Sequence, residues 1–254
     1  MNKPTEADIE AAKGYIKQRI EVEQSMTYLL ESAMREAAER IVDICYGAGV
    51  SPLNFSYANL SVSAQYNIDE VIRWLQETID DYFTTFAIAD HEENRDAILP
   101  LILGKRNGAT FEERFNDYCD KYRDELMLLI GAGLFLGIAK SALVKSIGEN
   151  LRHPYANQLL ADGIAAPLTY GKGRSNSMYN AICGLTGYGI ADAWMRHWEL
   201  KTAADGCIGW IVQRGSSFNC ELCDSNCGFH SIDEGTNLPM HGHCACFAVP
   251  VYKR

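Results

Sequence analysis

Apolar residues recur at intervals of three and four along most of the chain before residue 205, a period that predicts helices burying one face. The first such segment spans residues 5–45 and is expected to form one long helix or two helices in line. Thr5 is a suitable N-cap, and acidic residues follow in the first turn, where the helix dipole favours negative charge. Gly47 predicts the end of this helix, because glycine commonly follows the last helical turn.

Three more helices are predicted from local start signals. A capping box at Asn67 predicts the second helix, and the same signal at Thr110 predicts a third that runs to about Ile147. The last helix is predicted over residues 177–202. Prolines and a Gly-Lys-Gly turn break the helical pattern across residues 149–177.

The most apolar stretch of the chain, LMLLIGAGLFLGIA at residues 126–139, lies inside the third predicted helix. It is only 14 residues long and lies between Glu125 and Lys140, whereas a membrane-spanning helix needs about 20 residues. We therefore expect a fully buried central helix and no membrane span.

Strand patterns replace the helical period after Gly206. CIGWIVQ at 207–213 is β-branched and aromatic, and FAVPVY at 247–252 has strand character near the C-terminus. The predicted fold is mainly α: a helical body with a small, hairpin-like β module at the C-terminus. Three segments are predicted: a helical domain at 1–150, a loop and helix at 151–204, and the C-terminal module at 205–254.

The chain carries 23 basic and 33 acidic residues, a formal net charge of −10 at pH 7. A dedicated nucleic-acid binder usually has a basic excess, so duplex DNA is an unfavourable primary ligand. The N-terminal residues contain no apolar run, and no secretory signal is therefore expected. The nine cysteines are then interpreted as thiols of a reducing compartment, where metal binding is commoner than disulfides.

Six of the nine cysteines fall in the last 48 residues, together with three histidines. Cys220 and Cys223 form a CxxC motif, and seventeen residues separate it from the segment HGHCAC at 241–246. Two thiolates at this spacing can hold one ion, and a second pair of sulfur or nitrogen ligands completes a tetrahedron. A module of this size has little core of its own, so bound metal would supply folding free energy.

The C-terminal β module is therefore expected to be stapled by a structural Zn²⁺. The predicted ligands are Cys220, Cys223, His241 and Cys244. His241 and Cys244 are chosen because their spacing repeats that of the CxxC motif. Cys246 is the reserve ligand, since alternation along an extended strand puts it on the same face as Cys244. The remaining cysteines and histidines of the tail are interpreted as bystanders: Cys207, Cys227, His230 and His243.

A catalytic zinc site is the alternative. Zinc nucleobase deaminases combine an H-x-E segment with P-C-x-x-C, and this chain contains His197 and Glu199 followed by Cys220 and Cys223. Asn219 stands in place of the proline, and the HGHCAC segment would have no role. If the zinc is structural and not catalytic, Glu199 is expected to be a surface residue near the end of its helix.

Other redox and cluster sites fit less well. The spacing of Cys220, Cys223 and Cys227 lacks the third CxxC step of a bacterial ferredoxin. A thioredoxin-like motif would follow a strand at the start of a helix in a βαβ unit, and no such unit is predicted.

The tail resembles the C-terminal region of phage head morphogenesis proteins, the Mu F-like minor head proteins. A helix rich in small residues leads through a strand containing Trp210 to the CxxC motif and then to a P-x-H…C-x-C ending. The usual family ending is P-x-H-P-x-C-R-C. Matching residues are Pro239, His241, Cys244 and Cys246, whereas Gly242 replaces the second proline and Ala245 replaces the arginine. The resemblance covers residues 174–252.

This resemblance implies a non-enzymatic virion component that is incorporated in a few copies during head assembly. Its expected partners are portal and capsid proteins, with packaged DNA contacted only indirectly. Its expected location is the virion, and the host cytoplasm during assembly. A free-standing zinc-binding interaction module of the host remains a third interpretation.

Overall fold

The computed structural model describes residues 4–88, 91–152, 177–242 and 244–253. These residues are 70% helical, with seven α-helices and a three-stranded antiparallel sheet near the C-terminus. This confirms the predicted mainly α fold with a small C-terminal β element. The predicted break over 149–177 lies largely outside the described residues.

The elements follow one another in a simple order. The α-helices are α1 (Glu6–Gly47), α2 (Val62–Ile88), α3 (Arg95–Leu103), α4 (Phe111–Phe135), α5 (Lys140–Arg152), α6 (Met178–Ala204) and α7 (Glu221–Ser225). The strands are β1 (Cys207–Gln213), β2 (Gly228–Ser231) and β3 (Phe247–Tyr252). Short 3₁₀ turns lie at Pro52–Asn54, Tyr57–Asn59 and Glu92–Asn94.

Helix α1 is a single element of 42 residues, so the first predicted segment is one long helix and not two helices in line. Its start is stabilised by a reciprocal pair of capping hydrogen bonds. The amide of Asp8 donates to Oγ1 of Thr5 at 3.2 Å, and the amide of Thr5 donates to Oδ2 of Asp8 at 2.8 Å. The acidic first turn thus satisfies amide groups that the helix itself leaves without partners.

Helix α2 begins at Val62, five residues before the predicted start at Asn67. The hydroxyl of Ser61 accepts a hydrogen bond from the amide of Ala64 at 3.2 Å, so Ser61 caps the first turn. Asn67 therefore lies inside the helix, and the predicted capping box there was wrong.

The third predicted helix is two helices in the structure. Helix α4 ends at Phe135, Gly137 adopts φ +67°, and the amide of Ile138 bonds back to the carbonyl of Gly133 at 2.9 Å before α5 begins. The left-handed backbone at Gly137 allows this tight helix ending. The apolar stretch at 126–139 was predicted to be fully buried. This prediction was wrong, since Leu128 and Phe135 are exposed.

No helix in the described part of the chain is both long enough and apolar enough to cross a membrane.

Helix α3 was not predicted, because Pro100 interrupts its sequence pattern.

Both predicted strands are confirmed, and β2 is an addition to them. The sheet order is β2-β1-β3, so β1 is central and pairs antiparallel with both neighbours. Trp210 on β1 lies opposite His230 on β2 and Pro250 on β3. The sequence GFHS of β2 has no alternation of apolar and polar residues, which explains why the sequence did not predict this strand.

The described residues belong to two compact units. The first unit contains the described parts of Met1–Met26, Phe83–Phe111 and Gly184–Arg254, and the second contains those of Thr27–Tyr82 and Glu112–Cys183. These limits differ from the predicted segment boundaries at 150 and 204. The C-terminal tail shares a unit with the beginning of α1 because the two pack around one core.

That core joins the sheet to two helices. From α1 it includes Ala12 and Ile16, and from α6 it includes Met195 and Trp198. The indole of Trp198 donates to the carbonyl of Ala248 on β3 at 2.8 Å. The remaining apolar members come from the tail and include Cys207, Trp210, Val212, Leu238, Phe247, Ala248 and Val249. The tail is therefore covered by α1 and α6 and does not pack as an isolated module.

Candidate metal centre

The CxxC motif lies at the start of α7, in the connection between β1 and β2. Cys220 is the residue before the helix, and Cys223 lies within it. The carbonyl of Cys220 accepts from the amide of Asp224 at 2.9 Å, which closes the turn. The amide of Cys223 donates to the sulfur of Cys220, so the two side chains are held on one side of the turn.

The second cysteine segment is the connection from β2 into β3. The amide of Cys244 donates to the carbonyl of His241 at 3.2 Å, so this segment also makes a turn between its two candidate ligands. Cys244 and Cys246 then lead directly into β3, and both are buried. The pairing of β3 with β1 brings this segment back beside the CxxC motif.

Five cysteine and histidine side chains form two overlapping groups. One consists of Cys220, Cys223 and His241, and the other of Cys223, Cys244 and Cys246. Within each group all ligand atoms lie within 4.8 Å of one another. Each predicted ligand and the reserve ligand therefore falls in one of the two groups, which share Cys223, but neither group found among the described residues contains all four predicted ligands.

Two distances around Cys223 describe the geometry. Its Sγ lies 3.9 Å from Sγ of Cys244 and 3.1 Å from Nε2 of His241. In a zinc tetrahedron, sulfur–sulfur edges are about 3.8 Å and sulfur–nitrogen edges about 3.5 Å, from bond lengths near 2.3 and 2.0 Å. The distance between the sulfurs of Cys223 and Cys244 matches such an edge. The distance from the Cys223 sulfur to Nε2 of His241 is shorter than the sulfur–nitrogen edge.

The thiols influence one another's protonation. Burial is the main cause that raises the pKa of Cys223, and the neighbouring Cys220 and Cys246 raise it further. Burial, followed by the charge of Cys244, raises the pKa of Cys246. The hydrogen bond from the Cys223 amide is the main cause that lowers the pKa of Cys220. A cation among these thiols would favour their deprotonated forms, because thiolates are the ligands that metals bind.

Gly215 is a supporting residue that the sequence analysis missed. Its amide donates to the sulfur of Cys246. A Cβ at this position would collide with the carbonyl of Ala245, so only glycine allows the loop after β1 to lie this close. A single glycine after a strand carries no metal signal, and nothing in the sequence singles it out.

The predicted bystanders are outside both groups where the structure describes them. Cys227 is exposed, and its sulfur lies 3.2 Å from the carbonyl of Cys223. Nε2 of His230 lies 2.9 Å from the carbonyl of Asn226. Cys207 is buried in the shared core. His243 lies outside the described residues.

His197 and Glu199 of the deaminase alternative have other contacts. Nδ1 of His197 lies 3.0 Å from Nδ2 of Asn94, and its ring stacks on His91 with centroids 3.8 Å apart. His197 belongs to neither of the two groups found among the described residues. Glu199 is only 13% exposed and bonds to Thr236, so the expectation of a surface residue was wrong.

The described residues thus form a cysteine and histidine cluster that could hold a metal ion. Its members come from two turns that the sheet brings together, and three of its thiols are buried. Comparison with protein-family models, curated proteins and solved structures finds no match to this chain.

Proposed function

We propose that the cluster binds one structural Zn²⁺ through Cys220, Cys223, His241 and Cys244. Thiolate and imidazole are the ligands that structural zinc sites use, and four of them leave no coordination position for water. Cys246 provides a fifth donor in the same cluster and is the alternative to Cys244. A closed site of this kind stabilises the fold and does not activate a substrate.

The function supported best is that of a structural minor head protein of a phage or prophage. The observation that carries this proposal is the convergence of the motif residues it shares with minor head proteins. The CxxC motif, His241 and the C-x-C ending form two ligand groups that share Cys223, and the chain reaches the CxxC motif directly after the strand that contains Trp210. In this role the protein is not an enzyme, and the metal holds the tail in its folded form.

Portal and capsid proteins are the partners that this function requires. Docking on them needs no basic surface, which agrees with the net charge of −10. The tail from Asp205 onward carries three basic and five acidic residues, so it is poorly suited to contact phosphates. Packaged DNA would be reached only through the partners. The virion is the proposed location, and the host cytoplasm during assembly.

Particle composition tests this proposal. Proheads and mature particles from the parent phage are purified, and the chain is quantified by mass spectrometry against the major capsid protein. We expect a copy number far below that of the capsid protein. Absence of the chain from both particle types would contradict the proposed function.

The deaminase-like alternative is not proposed. It requires His197 to join Cys220 and Cys223 at one metal, and among the described residues His197 packs instead against His91 and Asn94. No contact of the described residues favours this alternative over the structural one.

A further inference from the structure

Arg19 lies in the first half of α1 and is buried, with its side chain only 1% exposed. Nη2 of Arg19 donates to the main-chain carbonyl of Cys244, a residue 225 positions later in the chain. Nε of Arg19 lies 2.9 Å from Oε1 of Glu23, one helical turn further on. The chain of contacts therefore runs from Glu23 through Arg19 to the backbone of a candidate ligand.

A buried guanidinium is costly, because removing an ion from water carries a large desolvation penalty even when the ion is paired. Around this position α1 otherwise contributes apolar side chains to the shared core, including Ile16 and Ile20. A leucine or methionine at position 19 would fill that core without the penalty. The contact that an apolar residue cannot make is the hydrogen bond to Cys244.

Arg19 could affect the metal centre through its charge or through its contact with the ligand segment, and the position of Glu23 distinguishes these two effects. Its carboxylate is also largely buried and accompanies the guanidinium, so the pair adds little net charge near the thiols. The pair instead restricts the position of the guanidinium, because its Nε is paired with the Glu23 carboxylate while its Nη2 donates to Cys244. Orientation of the ligand segment is therefore the effect that these contacts support.

We propose that Arg19 is a positioning residue of the metal centre, which holds the Cys244–Cys246 segment in its metal-binding conformation through the carbonyl of Cys244. This inference rests on the proposed metal binding. It makes the metal affinity of the C-terminal tail dependent on the N-terminal helix. Outer-shell partners of this kind change metal affinity by about 10- to 100-fold when they are removed.

The test compares full-length variants in their affinity for Zn²⁺, measured by competition with a chromophoric chelator. Arg19→Met is expected to weaken binding by about 10- to 100-fold. Lys17→Met removes a charge of the same sign from an exposed position on the same helix and is expected to leave the affinity unchanged. Arg19→Lys keeps the charge but lacks the planar fork, so it is expected to rescue little of the loss.

A second variant separates positioning from general stability. Arg19→Met combined with Glu23→Leu removes both buried charges, a replacement that is often neutral or stabilising. We expect this double variant to unfold at a denaturant concentration no lower than wild type and yet to bind Zn²⁺ weakly. Its Co²⁺ complex should also show shifted d–d absorption bands, which report the arrangement of the ligands.

Wild-type affinity and an unchanged Co²⁺ spectrum in the double variant would overturn the positioning role while leaving zinc binding intact. Full rescue by Arg19→Lys would overturn it in favour of a charge effect. A wild-type chain that binds neither Zn²⁺ nor Co²⁺ would refute metal binding itself, and the role of Arg19 with it.

Discussion

Oε1 of Glu199 accepts two hydrogen bonds from Thr236, one from the amide and one from the hydroxyl, each 2.7 Å long. Thr236 is fully buried, and its carbonyl accepts from Nδ2 of Asn226 at 2.9 Å. These bonds anchor the loop between β2 and His241 to α6. One carboxylate oxygen thus satisfies two donors in a segment that has no regular secondary structure.

Replacement of Glu199 tests this anchor. Glu199→Ala leaves both Thr236 donors buried without their acceptor and is expected to lower the free energy of unfolding by about 1–3 kcal/mol. Glu199→Gln keeps an acceptor oxygen and should lower it less. Urea unfolding of the two variants provides the comparison. Equal losses for alanine and glutamine would contradict the anchoring role, and neither variant should change the metal content, because Glu199 is outside the cluster.

Metal content is expected to be about one Zn²⁺ per chain, as a closed four-ligand site requires. Cys223→Ser should abolish binding, because Cys223 belongs to both ligand groups. Cys227→Ser removes an exposed tail thiol outside both groups and is the matched control. Elemental analysis of protein purified under reducing conditions without chelator gives the stoichiometry. Metal-free wild-type protein would contradict the zinc proposal.

The choice between Cys244 and Cys246 is tested by serine substitution at each position. We expect Cys244→Ser to lose the metal and Cys246→Ser to keep it at reduced affinity, since Cys246 lies in the same cluster. Equilibrium dialysis against Zn²⁺ measures both. The opposite result, with metal lost only in Cys246→Ser, would keep the zinc site and assign the fourth ligand to Cys246.

Chelation of the metal should loosen the tail and also uncover the helices that pack on it. Trp198 and Trp210 lie in the core shared by the sheet, α1 and α6. Loss of the tail packing would expose both indoles to water, so tryptophan fluorescence should shift to longer wavelength. Limited proteolysis should cut beyond Gly206 in the chelated protein and spare it when Zn²⁺ is restored. An unchanged fluorescence and cleavage pattern would show that packing alone holds the tail.

Stability should also depend on pH through Glu125, in the second unit. Burial raises the pKa of Glu125 from 4.5 to about 7, while a hydrogen bond from the amide of Met178 opposes the shift. Between these values the unfolded chain loses the proton and the folded chain keeps it, so stability falls as pH rises. The loss from pH 4.5 to above 7 is roughly 3 kcal/mol at most.

Glu125→Gln should remove this pH dependence, because glutamine stays neutral and keeps an acceptor for the Met178 amide. Urea unfolding at about pH 5 and pH 8 measures the effect as the difference between variant and wild type. Asp124→Asn changes the neighbouring exposed carboxylate and should leave the wild-type slope intact. If the unfolding free energy of Glu125→Gln depends on pH as strongly as that of the wild type, other groups cause the pH dependence.

The sequence by itself determined the elements whose signals are local. Helix α1, helix α6, strand β1 and strand β3 follow from the period of apolar residues over short windows, and that period depends only on backbone geometry. The CxxC motif and the pair His241 and Cys244 can likewise be recognised in the sequence, since the two residues of each pair lie within one turn of chain. These local patterns were sufficient to predict a mainly helical chain with a cysteine and histidine site near its end.

Tertiary structure decided what depends on contacts between distant segments. The four-residue strand β2 has no strand period and exists because β1 offers it an edge for pairing. Gly215 and Arg19 carry no metal signal in the sequence, and both contact the ligand segment only because folding brings them there. The tail shares its core with α1 because packing depends on proximity in space, which the spacing of residues along the chain does not encode.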